Sequence, residues 1–111
     1  MNKKMNIAII GLGNIGSYFY EYLQKNKNIL FEKTNTIPNI IYVSARSFKK
    51  TRSIKIPKRI WLKNCLLAPK LKDIDVIVEL IGGAEGIAKK LVFDALKNKK
   101  HVITANKALV A

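Results

Sequence analysis

Four short, mostly apolar runs punctuate the chain, at residues 5–10 (MNIAII), 39–45 (NIIYVSA), 76–81 (VIVELI) and 101–105 (HVITA). Runs this short, without strict alternation, suit strands buried on both faces of a parallel sheet. Between the first two, Ile15, Phe19, Tyr22 and Leu23 recur at three- and four-residue steps, as on a helix facing a sheet. Asn26-Lys27-Asn28 weakens that helix, and the polar stretch to Pro38 reads as a long loop. Between the last two runs, Ile87, Ala88, Leu91, Val92, Ala95 and Leu96 form an apolar stripe with Lys89, Lys90, Lys97 and Asn98 outside it. Glu85 in its first turn and lysines in its last complement the helix dipole.

Residues 33–72 break the alternation. This stretch has eleven basic residues, no acidic one, and Pro38, Pro57 and Pro69. It reads as a loop-rich connection, with one short strand or turn near Ile60-Trp61-Leu62 and Trp61 as a packing anchor. Strand–helix–strand alternation around it predicts an α/β fold, a doubly wound parallel sheet with covering helices. One domain occupies residues 1–111, and a further helix starts after Asn106-Lys107 as the chain reaches Ala111, so the sheet is expected to be incomplete at its C-terminal end.

Composition changes this picture little. The 21 Lys+Arg against 7 Asp+Glu give a formal charge of +14, which invites a nucleic-acid reading. Eighteen of those residues are Lys and three are Arg, whereas phosphate- and base-reading surfaces favour the planar guanidinium. A solvated Lys-rich surface explains most of the charge. One cysteine, Cys65, excludes an intramolecular disulfide and any multi-Cys zinc site. No apolar run reaches the 18 residues of a membrane span, and the Met1–Met5 start lacks a signal-peptide cleavage site. A cytoplasmic location is expected, with neither membrane nor nucleic acid as partner.

The chemistry concentrates where strands end. Gly11-Leu12-Gly13-Asn14-Ile15-Gly16 follows the first strand at once and opens a helix, the setting in which GxGxxG binds a dinucleotide and defines a Rossmann-like fold. Gly11 permits the tight turn, Gly13 the approach of a pyrophosphate, and Gly16 close helix–strand packing. The second strand ends on Ala45-Arg46-Ser47 with Lys49 and Lys50 beyond, where an NAD site would carry Asp or Glu. Cations there favour NADP(H) over NAD(H). Arg46 lies thirty residues after Gly16 and not about twenty, so the preceding loop must absorb an insertion. Gly82-Gly83 ends the third strand and lets backbone approach a ribose or nicotinamide. Lys107, after the fourth, is the candidate catalytic residue: it could reach the nicotinamide end or a carbonyl substrate, polarising it or assisting proton transfer. Glu79 within an apolar strand needs a partner, and structural pairing outranks catalysis for it. His101 falls at the opposite edge of the sheet, and Cys65 carries no signal of reactivity. No metal site is expected.

Together IGLGNIGS, VSARSFKKTR, DIDVIVELIGGAEGIAK and KKHVITANKALVA resemble, in order, the N-terminal coenzyme domain of homoserine dehydrogenase. Sugar and imidazole-type oxidoreductases of the same fold typically show an EKP motif after the corresponding strand, where Asn106-Lys107 stands here. The resemblance implies reversible reduction of L-aspartate 4-semialdehyde to L-homoserine with NAD(P)H, in threonine, methionine and isoleucine biosynthesis. It implies that Leu12, Asn14 and Ile15 line the dinucleotide with the glycines, that Arg46 binds the 2′-phosphate, and that Lys107 lies near nicotinamide and substrate. Family members are much longer, with substrate-binding carboxylates and the dimer interface in a later domain. The expectation is therefore a coenzyme-binding chain that does not turn over alone, engages substrate only with that domain, and forms a homo-oligomer only in a longer form. The alternatives are a stand-alone NADP-binding regulatory or remnant module, and a nucleic-acid binder using residues 33–72.

Overall fold

The computed structural model describes residues 3–45, 55–81 and 86–105. Four parallel strands form one sheet in the order β2-β1-β3-β4: β1 Lys3–Ile10, β2 Thr36–Ser44, β3 Val76–Glu79 and β4 His101–Thr104. Helices α1 (Asn14–Lys25) and α2 (Lys27–Thr34) connect β1 to β2, and α3 (Ile87–Lys97) connects β3 to β4. The expected α/β fold with a doubly wound parallel sheet is what is found.

Side-chain alternation in β1 builds two cores. Ile7 and Ile9 face one side, with Val43, Val76 and Val78, beneath Leu12, Tyr20 and Leu23 of the α1 segment. Ala8 and Ile10 face the other, with Ile74 and Ile77, beneath Leu91 and Ala95 of α3. Buried on both faces, the strands need no polar alternation, which is why they read as continuous apolar runs.

Several expectations change. The buried face of α1 is Gly16, Tyr20 and Leu23, with Phe19 half-buried, whereas Ile15 is 67% exposed and Tyr22 also lies largely outside. The predicted loop before Pro38 is largely helix: α2 caps itself through Asn35 in the left-handed conformation, and the Thr34 hydroxyl donates to the Leu30 carbonyl. This helix absorbs the extra residues between Gly16 and Arg46. Pro38 lies inside β2, tolerable because β2 is the outer strand at that point. The third strand stops at Glu79, short of Ile81, and both ends of the α3 stripe, Ile87 and Leu96, are exposed. Glu85, expected in the first turn of α3, lies outside the described residues.

The described part of the acid-free segment after β2, residues 55–72, is built into the fold. Trp61 makes a parallel bridge to Val43, the Leu62 N–H donates to the Val43 carbonyl, and Trp61 packs against the α1-side core, an anchor as expected. A 3-10 stretch, Cys65–Lys70, then packs Ala68 against the α3-side core. The Lys100 ammonium donates to the Leu71 and Ile74 carbonyls at 2.6 and 2.7 Å, fastening this segment to the start of β4.

Candidate coenzyme site

The carboxyl ends of β1, β2 and β3 converge on Gly11. Its N–H donates to the Ser44 carbonyl at 2.7 Å, tying β1 to β2. Its φ of +106° is strained for any residue with a β-carbon, and such an atom would lie 2.8–2.9 Å from the Leu80–Ile81 peptide. Gly16, one turn into α1, is tighter still: a β-carbon there would sit 2.0 Å from the Gly11 carbonyl oxygen. The two glycines let the helix start directly against the strand end. Gly13 is different: among the described residues nothing lies within 4 Å of the position of its missing side chain.

α1 begins at Gly13 with no side-chain cap and no acidic residue in its first turn. Among the described residues no side chain caps its leading amides, and with the positive end of its dipole they lie at the sheet edge, a setting that favours an anion. Asn14 and Ile15 stand exposed beside them, while the Leu12 side chain is buried in the core and offers the edge only its backbone. α1 leaves β1 toward one face and α3 follows β3 toward the other. The crevice between β1 and β3 is thus the topological switch point, where open α/β sheets bind ligands.

A cleft of about 330 Å³ opens beside Gly11. Ile10, Ser44 and Ala45 form one wall, and Ile81, Ile87 and Ala88 another. Lys63, Asn64 and Cys65 close it, a trio that sequence reasoning missed. The Trp61–Val43 bridge carries them there by laying the segment alongside the end of β2. The usable signal was the Ile60-Trp61-Leu62 triplet, a strand-like apolar unit inside a polar stretch. Among the described lining residues, Lys63 is the only charged one. Asn64 accepts the Leu66 N–H at 3.0 Å and so starts the 3-10 turn. Burial pushes the Cys65 thiol above its ordinary value, although its own backbone hydrogen bond works the other way. It is therefore a neutral lining group near pH 7, and not a thiolate.

Glu79 is fully buried, with Oε2 accepting the Ile81 N–H at 2.7 Å and Oε1 accepting the Thr104 hydroxyl at 2.5 Å. His101 is exposed at the far edge of the sheet, as expected, beside Lys3, Lys4, Lys72, Lys99 and Lys100. Arg46, Lys49, Lys50, Gly82, Gly83 and Lys107 lie outside the described residues. The residues from which the chain runs on to them, Ala45, Ile81 and Ala105, all stand at the carboxyl edge of the sheet, with the Ala105 N–H held by the Glu79 carbonyl. No described helix is long and apolar enough to cross a membrane.

The family model described as homoserine dehydrogenase, NAD binding domain, matches residues 11–111. The homoserine dehydrogenases of Bacillus subtilis and Neisseria gonorrhoeae are 34% and 37% identical over 109 residues, covering 98% of this chain and 25% of each relative. The crystal structure of S. aureus homoserine dehydrogenase at pH 7.0 superposes with a TM-score of 0.87 at 34% identity, over 96% of this chain and 27% of that one. The enzyme from Thiobacillus denitrificans gives 0.82 at 31% identity, over 97% and 25%. The chain thus spans about a quarter of the length of the curated relatives it matches.

Proposed function

The chain belongs to the homoserine dehydrogenase family, in its NAD-binding part, and from that premise we propose that it is the coenzyme-binding part of an enzyme interconverting L-homoserine and L-aspartate 4-semialdehyde with NAD(P)(H). The observation that carries this reading is the contact of Gly16 with the Gly11 carbonyl at the switch point. It brings uncapped helix amides to the sheet edge while Gly13 leaves room in front of them.

The coenzyme supplies or accepts a hydride; the residues of this chain hold and orient it. The Asn14–Gly16 amides take the pyrophosphate, beside the open face of Gly13 and the backbone of Leu12. The adenosine half lies toward β2, where Lys63 adds a cation to Arg46, Lys49 and Lys50 for a ribose 2′-phosphate. This makes NADP(H) preferred over NAD(H). The nicotinamide half falls toward β3 and β4, next to Gly82, Gly83 and Lys107. Hydride transfer also requires the aldehyde to be held in near-attack geometry, and that task belongs to the part of the enzyme matching the other three quarters of the relatives. The chain alone binds coenzyme without turnover. The longer form is a cytoplasmic homo-oligomer in the biosynthesis of threonine, methionine and isoleucine, and nucleic acid is not a partner.

The test is NADPH oxidation dependent on aspartate semialdehyde, first with the chain alone and then after fusing it to the remaining portion of a relative. Activity only in the fusion is expected. A fusion that folds and binds substrate but oxidises no NADPH contradicts the reading. Turnover by the chain alone contradicts its second half.

A further inference from the structure

Glu79 is a carboxylate in a strand whose other residues, Val76, Ile77 and Val78, are all apolar, and every residue of that strand is buried. Among the described residues it forms no ion pair. Burying an uncompensated charge is costly, and an apolar side chain would serve packing better, so the two hydrogen bonds of this carboxylate are its reason to be there. Both bonds go to the same place. Ile10, Glu79 and Thr104 lie in register across β1, β3 and β4, as the last row of the sheet before the coenzyme edge. The Ile81 N–H that donates to Oε2 belongs to the Leu80–Ile81 peptide, the very group that a side chain on Gly11 would strike. Oε1 meanwhile holds the Thr104 hydroxyl at the end of β4.

We propose that Glu79 is a positioning residue for coenzyme binding: one carboxylate oxygen fixes the Leu80–Ile81 peptide against the Gly11 turn, and the other ties that peptide to the end of β4. This rests on the reading of the edge as a coenzyme site, and assigns the residue that sets its internal spacing. The glycine turn, the start of the β3–α3 connection and the end of β4 keep one geometry because a single rigid carboxylate spans them. With Glu79 removed, the Ile81 N–H loses its acceptor and its peptide can rotate away from Gly11, which must then be corrected each time coenzyme binds.

Three variants test this with the 111-residue chain, each titrated with NADPH by ligand fluorescence at a temperature well below its own unfolding midpoint. Glu79→Leu removes both bonds and should weaken binding on the order of tenfold, the size expected when a buried N–H is left without its acceptor. Thr104→Val removes one arm and should weaken it by a smaller factor. Glu79→Gln should restore it to within about twofold: its carbonyl oxygen accepts from Ile81, and its amide donates to a Thr104 hydroxyl that can turn to accept. A folded Glu79→Leu chain with unchanged affinity overturns the proposal, as does a Gln variant no better than Leu. If Glu79→Leu fails to fold, Thr104→Val decides, and unchanged affinity there overturns it. An unsubstituted, folded chain that binds no NADPH contradicts the coenzyme reading itself and takes this inference with it.

Discussion

A β-carbon on Gly16 would lie 2.0 Å from the carbonyl oxygen of Gly11, so strand β1 and helix α1 meet through bare backbone. That contact sets Gly16 apart from Gly13, the glycine of the same motif that faces open space among the described residues. Gly16→Ala should cost about 3 kcal/mol or more, since neither backbone element can yield cheaply. Gly13→Ala should change stability by no more than about 1 kcal/mol, because φ there is −74° and no described residue lies within 4 Å. Yet Gly13→Ala should weaken NADPH binding at least tenfold by filling the phosphate's place. Urea unfolding and ligand titration of both variants check the pair.

Cationic selectivity at the end of β2 is a second consequence. Lys63→Met should raise the Kd for NADPH roughly two- to fivefold, the scale of a solvent-exposed ion pair, and leave NADH almost untouched. Added salt should erase the difference. Parallel titrations with the two coenzymes at low and high salt measure it.

The cysteine offers a footprint. Because burial holds the Cys65 thiol above its ordinary value, less thiolate is present near neutrality, and the rate of alkylation should be slow at pH 7 and still climbing beyond pH 8. Saturating NADPH should slow it further, since Cys65 lines the cleft. Mass-spectrometric labelling rates with and without coenzyme test both points.

Lys99 has a φ of 60°, the left-handed conformation in which glycine is the usual helix terminator. Lys99→Gly should stabilise the fold by about 1 kcal/mol, read as a higher midpoint in thermal unfolding. Asn35, at a similar φ of 59°, should gain much less from the same change, because Asn tolerates this region.

What the sequence discloses depends on how local the cause is. The strand–turn–helix unit at residues 3–25 was legible because an apolar run, three spaced glycines and a helical pattern are contiguous. The buried face of α1 is hidden from periodicity for a physical reason: Gly16 sits at its closest point, and glycine adds nothing to an apolar stripe, so the pattern points to the exposed Ile15 and Tyr22 instead. α2 was invisible because it buries no residue fully and so carries no periodic pattern. Lys63, Asn64 and Cys65 reach the cleft through a bridge between Val43 and Trp61, a pairing that no local pattern specifies. The cations Arg46, Lys49 and Lys50 follow β2 in the order of the chain, and they lie outside the described residues.

The central claim is that coenzyme binds at the Gly11–Gly16 edge, and amide NMR mapping of the labelled chain with NADP⁺ tests it most directly. Shifts should concentrate at Gly11–Gly16, Lys63–Cys65 and Ile81, and spare the opposite basic edge of Lys3, Lys4, Lys72 and His101. Shifts confined to that opposite edge, or none at saturating coenzyme, would contradict the account.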